Sequence, residues 1–176
     1  MKRHTDITAV LCLLLGTLLA AAVIAADNPR REPVTIEADS AVFDERKGQS
    51  IYTGHVIIIQ GGMQIRADEV TVYTEEDALQ RIVASGEPVH FRQQREGEKE
   101  IHGEARRLDY RADDEHLLLQ DQAWLTQGGN RFSGQRIEYD MQRERVTAAQ
   151  AVDGSQRVKV TIQPKAKTPS PENGRH

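Results

Sequence analysis

Tyr52–Val72 reads YTGHVIIIQGGMQIRADEVTV. Taken two residues at a time, this stretch is a hairpin. Tyr52, Gly54, Val56 and Ile58 fall on one face, because side chains alternate across an extended chain. Gln60-Gly61-Gly62 supplies the turn, since glycine takes the positive φ that tight hairpins need. Ile65 and Ala67 lead the returning strand, followed by Val70 and Val72. The step from Ala67 to Val70 is one residue too long, so a bulge is expected at Asp68-Glu69.

The pattern recurs downstream. Gln127-Gly128-Gly129 lies 67 residues after Gln60-Gly61-Gly62. At that offset Val56 falls on Ala123, Ile58 on Leu125, Ile65 on Phe132, Val70 on Ile137 and Val72 on Tyr139. Upstream, Ile36 falls on Ile101 and Phe43 on Leu108, at an offset of 65. Further on, Val89 and Phe91 fall on Val158 and Val160. Order and chemical character agree in four separated blocks, which marks an internal repeat.

Flanking segments bound the domain. Lys2 and Arg3 precede an apolar run from Ile7 to Ala25, and Ala25 or Ala26 offers a cleavage point. Residues 1–26 read as a secretory signal peptide. An uncleaved anchor is the competing reading, since the run is long enough to span a bilayer. Cys12 lies inside that run and is the sole cysteine, so the remaining chain has no disulfide or thiol chemistry. Losing the leader takes the formal charge from −4 to −5. A mildly acidic chain without a basic block argues against nucleic acid as a partner.

Residues 27–33 form a polar lead-in. Residues 34–163 read as one all-β domain, because its segments are short, alternating, and bounded by Gly, Asp or charged turns. Strands are expected near Val34–Ile36, Leu79–Ala84, Pro88–Gln93, Ile101–Tyr110, His116–Gln127, Asn130–Asp140, Glu144–Ala151 and Gln156–Gln163, beside the first hairpin, with a short strand or a bend at Ala38–Asp44. Residues 164–176, rich in Lys, Pro and Ser, are expected to be a disordered tail.

Motifs for catalysis are missing: the chain has no GxSxG, no Walker loop and no HExxH. Its histidines beyond the leader (His55, His90, His102, His116 and His176) lack metal-ligand spacing. The glycine pairs are turn glycines rather than phosphate loops, since no helix follows them. What remains is the apolar face. Val34, Ile36, Val56, Ile58, Val72 and Phe91, with Leu108, Tyr110, Leu125, Phe132 and Tyr139, line either a dry core or a groove for lipid.

The ordered set PVTIEADSAVFD, YTGHVIIIQGGMQIRADEVTVY, GEPVHFRQ and HGEARRLDYRADDEHLLLQDQAWLTQGGNRFSGQRIEYD resembles the OstA-like family of periplasmic lipopolysaccharide-transport proteins. The resemblance covers about Glu32 to Pro164. It implies a twisted open β-jellyroll of antiparallel strands, built here from two similar units of about 67 residues. It further implies end-to-end self-association between the membrane partners LptC and LptD, with lipopolysaccharide acyl chains in the apolar interior and no cofactor or metal. Val34 and Ile36 match the apolar pair of the family's first strand. Phe91 matches its aromatic after Gly-x-Pro-x-x, and Tyr110 the aromatic closing its Gly-x-Ala stretch. Ala112 is smaller than the apolar residue the family carries near that point. Three other readings stay open on the residues alone: an LptC-like anchored partner, an enzyme acting on envelope glycan, and a structural β-repeat scaffold.

Overall fold

The computed structural model describes residues 32–76, 78–151 and 157–164. The expected leader and most of the expected tail lie outside them. The described chain forms one sheet of ten antiparallel strands, open at both edges. These are β1 (Thr35–Glu37), β2 (Ser40–Asp44), β3 (Gln49–Gln60), β4 (Met63–Glu75), β5 (Ala78–Gln93), β6 (Ile101–Arg111), β7 (His116–Gln127), β8 (Asn130–Asp140), β9 (Arg145–Ala149) and β10 (Lys159–Thr161). From β3 to β8 the chain is a plain meander. Both β1 and β2 pair with β3, and both β9 and β10 pair with β8. Each edge is therefore a strand in two pieces.

The expected hairpin is present: Gln60 faces Met63, Ile58 faces Ile65 and Val56 faces Ala67. The inward phase slips at Asp68 and Glu69, which are both exposed. The extra residue, however, sits on the opposite strand. Between the pairs Thr53↔Glu69 and Val56↔Ala67, β3 spends Gly54 and His55 against the single Asp68. Both take positive φ, 82° and 47°. The second hairpin does the same: Asp121 and Gln122 of β7, at φ 65° and 57°, stand against the single Gln135 of β8.

Irregularities at the same level cross the other long strands, between Ser85 and Val89 on β5 and between Glu104 and Arg107 on β6. The expected pair of strands Leu79–Ala84 and Pro88–Gln93 is thus one strand, β5, interrupted at Gly86–Pro88 rather than ended there. Bulges bend strands and raise their twist, and a row of them creases the whole sheet. Its two halves then face each other.

Distances prove the fold. Leu119 and Leu125 would lie about 20 Å apart on a flat strand. Yet a Cβ added to Gly103, the pairing partner of Leu125, would come within 2.8 Å of Leu119 Cδ1. One layer therefore holds the first half of β3 and its neighbours, and the other layer the second half. Between them sits the core, with Ile58, Ile65, Ile82, Leu117, Leu119 and Ile137 fully buried. Burying such a side chain contributes about 1.5–3 kcal/mol. The β6–β7 and β8–β9 connections and the glycine turns are placed as expected, whereas β9 and β10 are shorter than the sequence suggests.

Candidate functional site

All eleven apolar positions singled out in the sequence lie on the inner face. Val56, Ile58, Val72, Phe91, Leu108, Tyr110, Leu125 and Tyr139 are buried in one contiguous cluster. Val34, Ile36 and Phe132 are half-buried against it. They are not equivalent, because the interior differs from one end to the other.

At the β1–β4 end the layers stand apart. A cleft of about 790 Å³ opens there. Val34, Ile36 and Gln60 form one wall, and Tyr52, Val72, Leu79 and Tyr110 are among the residues of the other. Ala112 lies on this cleft, and its small side chain leaves width there. Phe43 stands at the mouth, 67% exposed, its ring edge-on to Tyr52 at 5.9 Å. Sequence reasoning did not single out Phe43, Tyr52 or Leu79, although the period-two phase from Tyr52 to Ile58 already carried the second of these.

At the β5–β8 end the interior is filled and its rim is bridged. Arg95, in the β5–β6 loop, donates to Glu115 Oε2 at 2.7 Å. Glu115 belongs to the β6–β7 turn in the facing layer, and it is only 8% exposed. Gln127 Nε2 donates to the Tyr139 hydroxyl at 3.2 Å, again from one layer to the other. Burial, reinforced by nearby Glu144 and Glu98, pushes the Tyr139 phenol up to about 12. Phe91, Leu125 and Tyr139 therefore sit under a closed rim, and Ile36 and Tyr110 beside an open one.

The outer face carries paired surface charges. His55 meets Asp39 at 2.8 Å, His90 meets Glu104 at 3.1 Å and His102 meets Glu100 at 3.2 Å. The Asp39 carboxylate holds the His55 imidazole above its ordinary value. Among the described residues no three potential ligands gather at a metal-binding spacing. No helix of the described residues is long and apolar enough to cross a membrane.

The described residues form a creased open sheet with an apolar interior and an accessible cleft at one end, and comparison with known proteins assigns it a family. The family described as LptA/(LptD N-terminal domain) LPS transport protein matches residues 35–145, and this chain belongs to it. The lipopolysaccharide export system protein LptH of Pseudomonas aeruginosa is 32% identical, over 88% of this chain and 92% of that protein. LptA of Escherichia coli is 27% identical, over 99% of this chain and all of its own length. The crystal structure of Pseudomonas aeruginosa LptH superposes with a TM-score of 0.70 at 30% identity, over 77% of this chain and 99% of that one. That structure is described as the LptA-homologous periplasmic component of the lipopolysaccharide transport device.

Proposed function

We propose that this chain is a periplasmic carrier that shields the acyl chains of lipopolysaccharide and passes them toward the outer membrane. The observation that carries this reading is the cleft of about 790 Å³, because its apolar residues, Val34, Ile36, Tyr52, Leu79 and Ala112 among them, pack against the buried core of a sheet whose edges are both open. Each methylene removed from water is worth about 0.8 kcal/mol, so shielding only ten contributes about 8 kcal/mol. A path of similar side chains gives similar affinity at successive positions, which favours sliding over tight binding. The work is binding and transfer rather than catalysis, and direction comes from an energy source elsewhere. The lipid path runs through Val34, Ile36, Val56, Ile58, Val72, Phe91, Leu108, Tyr110, Leu125, Phe132 and Tyr139. Residues 1–26 direct export and are cleaved, and residues 34–163 form the carrier domain.

End-to-end stacking completes the reading. Eight neighbours lie in line from β1 to β10, and every pairing is antiparallel. The first and last strands therefore run in opposite directions, so β10 of one copy can pair antiparallel with β1 of the next. Val158, Val160 and Ile162 alternate along the carboxy-terminal edge and remain 39%, 48% and 71% exposed. Arg157 and Lys159 alternate with them, whereas the amino-terminal edge carries Glu37 and Asp39. Such a joint is heterologous and extends instead of closing. The same edges serve LptC at the inner membrane and LptD at the outer membrane.

Mass spectrometry of lipid co-purifying with the protein from a native Gram-negative envelope tests the carrier reading. Lipid A species are expected. A lipid-free protein would favour a structural scaffold, the reading that the filled packing between β5 and β8 supports.

A further inference from the structure

The two halves of the interior differ in how their rims are held. Over the cleft, the facing rims at Gln60 and Thr74 stand on opposite walls of open space. Over the β5–β8 half, two side-chain contacts reach from one layer to the other, Arg95 to Glu115 and Gln127 to Tyr139. Gln93, 7% exposed, takes Arg95 Nε at 2.8 Å and Nη2 at 3.0 Å when its amide is oriented to accept. Arg95 in turn reaches Glu115, and Glu98 lies 3.9 Å from the same guanidinium. The Met141 amide donates to the Glu115 carbonyl, tying the β6–β7 and β8–β9 turns together. Gln127 meets the Tyr139 hydroxyl alongside.

We infer that the Gln93–Arg95–Glu115 network, together with Gln127–Tyr139, is a clasp across the rim, which an acyl chain must part before it reaches the interior beneath β5 to β8. The inference rests on the carrier reading. Its chemistry follows from the position of the pair. A buried ion pair is costly to break when one partner stays buried alone. At a rim, parting the layers returns both partners to water, so the pair can open and reclose as a unit. The apolar layers below are held by packing, which an incoming hydrocarbon replaces in kind. The clasp is thus the part of the closed interior that lipid cannot replace, and it sets how readily the β5–β8 half admits a chain.

Cysteine labelling without any ligand tests the clasp separately from the carrier role. In a Cys12→Ser background, one cysteine replaces Leu117, beneath the clasp, or Val70, in the β4 part of the core; both side chains are fully buried. Glu115→Gln should raise maleimide labelling at position 117 at least about tenfold, the loss expected for a charged hydrogen bond, and leave position 70 little changed. Tyr139→Phe, which removes one hydroxyl, should act in the same direction more weakly, and it decides the matter if Glu115→Gln fails to fold. Unchanged labelling at position 117 overturns the clasp. An equal rise at both positions also overturns it, because that reports global destabilisation. A photo-crosslinker at Phe91 should then capture more lipid A in the Glu115→Gln protein than in the parent. Accelerated labelling without capture at any inner position leaves the clasp standing and removes the carrier reading.

Discussion

Leu119 lies over Gly103 so closely that a Cβ there would stand 2.8 Å from the leucine Cδ1. The same place in the first half of the sheet holds Ile36 and Tyr52. Ile36 pairs with Ile58 and Ala41 with Tyr52, as Gly103 pairs with Leu125 and Leu108 with Leu119. A glycine lets the layers meet, whereas an isoleucine and a tyrosine line an open cleft. Replacing Gly103 by Ala should cost about 1 kcal/mol and by Val about 2–3 kcal/mol, the range for overpacking a core. Leu119→Ala should recover part of the valine penalty. Urea unfolding of the four proteins in that cycle measures the coupling.

Photo-crosslinking maps the lipid path. A photoreactive side chain at Ile36 or Tyr110, beside the open cleft, should capture lipopolysaccharide in cells most strongly. Phe91, 2% exposed, should capture less. Asp113 lines the mouth of the cleft and is expected to capture some lipid. Arg107, exposed on the outer face, should capture none. Equal capture at Tyr110 and Arg107 would remove the inner-face assignment.

Alkaline pH should destabilise the fold through Tyr139. Its phenol titrates near 12 in the folded state, against an ordinary value of 10.0. Below pH 10 both states keep the proton. Above it the unfolded chain releases the proton first, so stability is lost progressively between pH 10 and 12. Thermal unfolding midpoints for the parent protein and Tyr139→Phe should converge or cross over that interval, with the phenylalanine protein flatter. Parallel profiles would show that the phenol is not held back.

Self-association should depend on the carboxy-terminal edge. Truncation before Arg157 removes β10 and the exposed Val158, Val160 and Ile162. Sedimentation should show a shift toward monomer at concentrations where the full chain forms longer species. Val160→Asp should weaken association as well, because it places a charge on the inner face of the joint. If both proteins associate like the parent, the chain is a diffusing carrier.

Much of this was legible in period-two alternation. The phase of Tyr52–Val72 located the hairpin, the inner face and the slip at Asp68–Glu69. It could not tell which strand held the extra residue, since a slip in one strand and a surplus in its partner leave the same trace. Matching character led the upstream alignment to place Ile36 with Ile101, but the pairing register places it with Gly103, because a close approach there demanded the loss of a side chain. β5 reads as two strands because Gly86 and Pro88 usually end one, yet here they mark the crease. The rim bridge from Arg95 to Glu115 was not legible: both residues sit in polar loops 20 residues apart, and only the folding of the sheet brings them together.

Each edge of the sheet is split, with β1 and β2 on one side and β9 and β10 on the other. In the proposed end-to-end joint, docking at such an edge would be bivalent. Once one half-strand had paired, the other, held on the same β3 with only Ala38-Asp39 between them, would be presented at high effective concentration. Two weak ladders would then act as one strong joint, yet each could let go separately. The proposed row of such molecules would resemble a zipper more than a rivet, to be lengthened, shortened or repaired one half-strand at a time.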